Sequence, residues 1–204
     1  MEFSHPITRA EVQEVLDACG DTLSVKPIEN LGCGDYGCAF LTDASTVIKI
    51  SKQEKEARAA HAILDLKLKN PGLPKIFEVY EWEECHPYED PIYVIHRENI
   101  KNLLWDDPKW ATNTLSDFEM EVGDKFGWGT LTEDGIFDIL LELYEANPGT
   151  SGDESRLEKI AELFAYLLPF NVRLDDVTLD NFGRHNGNPV LRDLGALFIM
   201  PKYL

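Results

Sequence analysis

The stretch that most limits how this chain can fold is Leu31-Gly32-Cys33-Gly34-Asp35-Tyr36-Gly37-Cys38-Ala39-Phe40. Strand-forming runs flank it: Leu23–Leu31 before, then Cys38–Thr42 and Thr46–Ser51, the last two parted by the turn residues Asp43-Ala44-Ser45. Glycines at 32, 34 and 37 permit a tight turn and let backbone N–H groups come close to a ligand. A dinucleotide-binding glycine loop opens a helix. This one returns as a strand toward Thr46-Val47-Ile48-Lys49-Ile50. A hairpin is therefore expected, with Tyr36 capping its turn and N–H groups able to approach phosphates. Taken alone, the same glycines also suit an ordinary β-turn.

Upstream, Thr8-Arg9-Ala10-Glu11 is a capping box for a first helix, with Ile7 and Val12 as its hydrophobic staple. Val12, Val15, Leu16 and Cys19 give that helix an apolar stripe, and Gly20 is its natural stop. Downstream, residues 52–69 turn helical and end at Pro71-Gly72. Lys75–Trp82 and Ile92–Ile95 are two more expected strands, joined by an acidic loop from Glu83 to Pro91. Beyond residue 100 the pattern is helical, clearest over Ile136–Tyr144 and Leu157–Leu168, with residues 149–152 between them. Turns and short strands return around Asp176–Gly195. Five strands with one interrupting helix, then helices, make an α+β arrangement. At 204 residues, 44% hydrophobic, the chain can bury a real core. One domain over 1–204 is expected: an N-terminal helix in 1–22, a sheet-based half in 23–98 and a helical half in 99–204.

Lys plus Arg total 19 against 37 for Asp plus Glu, a net charge of −18. Such a chain repels phosphate backbones and anionic membranes, so neither nucleic acid nor membrane is expected as a direct partner. The acidity suits a solvated, soluble surface; the sharper readings are basic partners or mimicry of DNA charge. No apolar run approaches the ~20 residues needed to span a bilayer, and the first residues lack a secretion-signal pattern. Cys19, Cys33, Cys38 and Cys85 form no CxxC pair and no zinc spacing. They are expected to be free thiols in a reducing cytoplasm.

Lys49 is a single cation among β-branched residues. On its own it suits a snorkelling surface lysine; behind a glycine-rich hairpin it is placed to reach phosphate oxygens. A lysine in a partly apolar cleft needs a counter-charge. Glu54 and Glu56 on the next helix are the candidates, and Glu56 is favoured because Ala60 and Ile63 follow on the same face. Near the far end, Asp176-Val177-Thr178-Leu179-Asp180-Asn181 gives Asp-x-x-x-x-Asn, and Asp193-Leu194-Gly195 begins twelve residues after Asn181. An Asn amide and an Asp carboxylate offer the hard oxygen ligands a divalent cation takes. A further carboxylate can orient a hydroxyl and accept its proton. Each piece alone is a common turn former; their order and spacing join them.

Glycine loop, strand lysine, helix glutamate, Asp-x-x-x-x-Asn and Asp-x-Gly, in that order, resemble the protein-kinase fold. The resemblance runs from about residue 25 to residue 198. Within that fold the chain is most similar to the small early Ser/Thr protein kinases of T7-like bacteriophages. They share the Val-Ile-Lys run and a segment like Pro71-Gly72-Leu73-Pro74 before the fourth strand. The resemblance implies a five-stranded N-lobe with one helix and a truncated, mostly helical C-lobe ending just after Asp-Leu-Gly. It implies ATP and Mg2+ as cofactors. Gly32, Gly34 and Gly37 would cover the phosphates with Tyr36 at the loop tip, and Lys49, paired with Glu56, would bind α/β-phosphate oxygens. Asp176 would be the catalytic-loop aspartate, and Asn181 and Asp193 the metal ligands.

The departures are specific. Leu174-Asp175-Asp176 replaces His-Arg-Asp, and the five-residue step to Asn181 selects Asp176 over Asp175. Leu194 replaces the phenylalanine of Asp-Phe-Gly. His96-Arg97-Glu98-Asn99 after Ile95 does not align with a kinase hinge. Nine residues follow Gly195, so no activation segment and no loop-phosphorylation switch of the usual type is expected. The implied activity is γ-phosphate transfer to Ser or Thr of protein substrates, host proteins if the chain is viral. Alternatives are a kinase-like binding module without catalysis, an acidic DNA mimic, and a small-molecule phosphotransferase of the aminoglycoside type. The complete residue set opposes the first, and the short helical half opposes the last. The oligomeric state stays open.

Overall fold

The computed structural model describes residues 6–19, 23–82, 91–130, 132–170, 172–174 and 176–199, without the side chains of 123–130. The chain forms two compact units. One takes Met1–Leu68 with Lys75–Asn99, the other Lys69–Pro74 with Ile100–Leu204.

In the first unit a helix, α1 (Arg9–Cys19), precedes five strands: β1 (Pro27–Cys33), β2 (Gly37–Thr42), β3 (Val47–Ser51), β4 (Ile76–Trp82) and β5 (Ile92–Arg97). A second helix, α2 (Glu54–Asp65), lies between β3 and β4. The sheet order is β1-β2-β3-β5-β4, antiparallel throughout. This is the α+β arrangement of five strands with one interrupting helix that the sequence leads one to expect. The inner strands β3 and β5 are covered on both faces, and Ile48, Ile50, Val94 and Ile95 show no exposure. Their Val/Ile runs fit that double burial. One face packs on α1 through Val12 and Val15, with Phe40, Ile48, Ile50 and Val94 beneath them. Leu23 and Val25 join this cluster outside the sheet, and β1 starts at Pro27 rather than at the expected Leu23. The buried side of α2 is Glu56, Ala57, Ala59, Ala60 and Ile63. The capping box forms: Thr8 N–H donates to Glu11 Oε2 (2.6 Å) and Glu11 N–H to Thr8 Oγ1 (3.2 Å). The stop at Gly20 and the loop over 83–90 lie outside the described residues.

The second unit holds α3 (Pro108–Thr130), α4 (Glu133–Ala146) and α5 (Ser151–Leu167). It also holds the short strands β6 (Lys101–Asn102), β7 (Val172–Leu174), β8 (Phe182–His185), β9 (Asn188–Leu191) and β10 (Leu197–Ile199). The core is aliphatic and aromatic, with Phe118 and Phe164 edge to face at 5.2 Å. The helix α5 starts at Ser151 rather than Leu157, because Thr150 caps it by accepting the Asp153 N–H (3.1 Å). The segment 69–74 belongs here too. Gly72 carbonyl accepts the Leu191 N–H (2.8 Å), Tyr166 hydroxyl accepts the Lys69 N–H (2.7 Å), and a Cβ at Gly72 would stand 3.2 Å from Leu163. Among the described residues no helix is long and apolar enough to cross a membrane.

Asp153 ties this unit together. It shows no exposure, accepts the N–H groups of Asp106 (3.0 Å) and Asp107 (2.8 Å), and pairs with Arg156. Burial pushes its carboxyl up, but those backbone donors and the guanidinium outweigh it and hold the group below the usual carboxylate range. A lowered folded value means stabilisation that is full above the ordinary carboxylate value and is lost as pH falls through the folded one. Asp153→Ala is expected to cost about 1–3 kcal/mol by leaving buried donors unpaired. It should also flatten the acid limb of the stability curve, which urea unfolding at neutral and acidic pH would show.

Candidate active site

The glycine segment is the turn of the β1–β2 hairpin, with Gly34 N–H closing on Gly37 carbonyl (2.8 Å). Gly32 adopts φ +143, a conformation L side chains rarely take, and Asn30 Oδ1 accepts its N–H (2.8 Å). At Gly37 a Cβ would stand 2.6 Å from the Ile50 carbonyl oxygen, so glycine is what lets β2 lie this close to β3 there. Gly34 has open space around it, and Tyr36 is exposed at the tip.

Cys33 and Cys38 form a disulfide across the neck of this hairpin. That corrects the expectation of free thiols for this pair. The reason is register: the two residues face each other in the antiparallel ladder with Cα atoms 4.1 Å apart, within bridging reach. Their spacing alone carries no such signature.

Two carbonyls of the turn are held from neighbouring segments. Asp35 carbonyl accepts the Ile7 N–H (2.9 Å) and Tyr36 carbonyl accepts the Lys52 N–H (2.8 Å). The Lys52 ammonium is buried and lies 2.6 Å from Glu11 Oε1. Burial pushes the Glu11 carboxyl up, yet the Lys52 ammonium and the Thr8 donors prevail and hold it below its ordinary value. The start of α1 thus braces the glycine turn. The capping box is visible in the sequence, but the second task of Glu11 is not, because its partner lies 41 residues on.

Lys49 stands in the middle of β3, and its Nζ lies 2.7 Å from Glu56 Oε1 on α2. Glu56 shows no exposure, whereas the lysine side chain keeps 20%. Glu54, the other candidate, pairs with Arg58 at the surface. Neither Glu56 oxygen accepts a well-aligned hydrogen bond, so the contact is one of charge rather than of bond geometry. Burying an ion pair in a core is weak as a stabilising device.

In the second unit the β8–β9 hairpin brings its two feet together. It turns through Asn186 (φ +51) and Gly187 (φ +84), the left-handed pair such two-residue turns require. At its base Asn181 carbonyl accepts the N–H groups of Arg192 (2.6 Å) and Asp193 (3.4 Å). Asn181 Nδ2 in turn donates to the Asp176 carbonyl (2.6 Å). Asp176, Asn181 and Asp193 are therefore brought together by the backbone. Asp193 Oδ1 accepts the Gly195 N–H (2.8 Å), capping a 3-10 turn over Leu194–Ala196. Asp176 is exposed and carries φ +89, and its N–H and that of Val177 both donate to Glu119 on α3 (2.7 and 3.2 Å). Asp175 lies outside the described residues.

The donor set fits a hard divalent cation. An Asn amide oxygen and an Asp carboxylate suit Mg2+, which takes one or two protein ligands and fills the rest with water and phosphate oxygens. Among the described residues no group of three or more His, Cys, Asp or Glu is assembled to enclose a metal. The residues after Ile95 do not form a hinge loop at once: His96 and Arg97 continue β5, and both are buried. Burial pulls the His96 imidazole below its ordinary value, Glu78 opposing, and its Nε2 lies 2.7 Å from Thr46 Oγ1.

Neither a protein-family model nor a curated protein matches this chain. Among solved structures it is similar to an ADP-bound aminoglycoside phosphotransferase, at 15% identity and a TM-score of 0.39 over 90% of this chain and 70% of that one. At that level the similarity says nothing about reaction or substrate.

Proposed function

We propose that this chain is an ATP- and Mg2+-dependent protein kinase that transfers the γ-phosphate to Ser or Thr of protein substrates. The observation that carries the proposal is the Lys49–Glu56 ion pair, whose carboxylate is wholly buried while its ammonium keeps an exposed edge. The glycine turn of the β1–β2 hairpin lets the main chain approach phosphates closely. Lys49 binds phosphate oxygens, and Glu56 positions Lys49. Asp176 orients the acceptor hydroxyl and takes its proton. Asn181 and Asp193 hold Mg2+, which when bound neutralises charge developing on the phosphate oxygens. Phosphoryl transfer asks little covalent chemistry of a protein, and placement of charge supplies most of the acceleration. The net charge of −18 favours acceptor sites set among basic residues.

Intact mass spectrometry of the protein and of a cell lysate after incubation with Mg·ATP tests this. Phosphate on Ser or Thr of lysate proteins is the expected result. Nucleotide binding without transfer, or phosphate appearing only on small molecules such as an aminoglycoside, would overturn it.

A further inference from the structure

We infer that Glu119 is a positioning residue that holds the backbone of Asp176 in its active conformation, a role that rests on the kinase function proposed above. Among the described residues, Asp176 is one of four non-glycine residues with positive φ, at +89. A non-glycine residue in that region is strained, and it persists only where the surroundings over-determine it. Three contacts do so. Glu119 Oε1 accepts the Asp176 N–H (2.7 Å), Glu119 Oε2 accepts the Val177 N–H (3.2 Å), and the Asp176 carbonyl accepts Asn181 Nδ2 (2.6 Å). The two oxygens of one carboxylate thus engage two successive N–H groups, a charge-assisted and directional arrangement.

The helix that delivers this carboxylate is firmly seated. Leu115, Phe118 and Val122 of α3 are buried, and Glu119 lies at the edge of that stripe, half-buried. Val177, next to the strained residue, is itself buried. The helix core therefore fixes Glu119, Glu119 fixes the main chain at 176 and 177, and the main chain sets where the Asp176 carboxylate starts from. Glutamine cannot replace it. An amide has one acceptor oxygen, and its NH2 group would face a second N–H donor.

The test compares wild type, Glu119→Gln and Glu119→Asp by steady-state kinetics and by amide hydrogen exchange at Asp176 and Val177. In Glu119→Gln we expect faster exchange at both amides and a fall in kcat of roughly ten- to a hundredfold, the size a small misplacement of a reacting group produces. KM for ATP should stay near the wild-type value. Glu119→Asp keeps both acceptor oxygens on a shorter stem and should recover part of kcat. A purely structural role would lower the melting temperature without this split between kcat and KM. Faster exchange with unchanged kcat, or unchanged exchange, overturns the role of Glu119 alone. An inactive wild type overturns the kinase function, and the positioning role with it. If Glu119→Gln fails to fold, Glu119→Asp decides: unchanged kcat together with unchanged exchange in that variant overturns the role.

Discussion

Lys49→Ala is expected to lower turnover by roughly 10²–10³, the usual effect of losing one electrostatic stabiliser. The variant also removes the ammonium 2.7 Å from a carboxylate with no exposure. Breaking one side of a buried pair costs about 3–5 kcal/mol, so lost activity and lost stability would coincide in this variant. Removing both charges separates them. Lys49→Met with Glu56→Gln leaves no uncompensated charge, and its melting temperature should return toward wild type while turnover stays low. Glu56→Gln alone should cost less turnover than Lys49→Ala, because Glu56 acts through the lysine. Near wild-type activity in Lys49→Ala would reject the assignment of this pair.

The second large effect is expected at Asp193. Its carboxylate both caps the turn over Leu194–Ala196 and, in the proposed reaction, holds Mg2+. Asp193→Ala removes both functions and should lower turnover by roughly 10²–10³. Asp193→Asn keeps an oxygen that can accept the Gly195 N–H, so the turn should survive while the charge on the metal is lost. The signature is a rise in the Mg2+ concentration needed for half-maximal rate, with a melting temperature near wild type. Equal Mg2+ dependence in Asp193→Asn and wild type would remove Asp193 from the metal site. Lys49→Ala and Asp193→Ala combined should be far from additive if both groups serve one nucleotide.

Much of the fold was legible because it is written locally. The capping box at Thr8–Glu11, the apolar run of β2 and the glycine turn each depend on residues near in sequence. Glu56 was preferred to Glu54 because helical spacing puts it on the face of Ala60 and Ile63, and the helix buries that face. What escaped depends on partners far along the chain. Glu119 looks like any half-exposed helical acid until the chain returns 57 residues later. The cysteine pairing follows from which residues the hairpin sets opposite each other, and a turn of different length would have parted them. The start of α5 was missed for a local reason: Gly149 and Gly152 obscured the cap at Thr150.

The way the chain leaves the sheet and comes back has a practical consequence. In chain order residues 69–74, which belong to the second unit, come before β4 and β5, and β5 lies inside the sheet, between β3 and β4. On the ribosome, the sheet therefore stays open until residue 97 has emerged. The Gly72 carbonyl waits longer still, for the amide of Leu191, 191 − 72 = 119 positions later. No single cut yields two intact halves. A fragment ending near residue 99 would carry an orphaned excursion, so dissection of this protein calls for circular permutants or internal replacement of 69–74 rather than truncation.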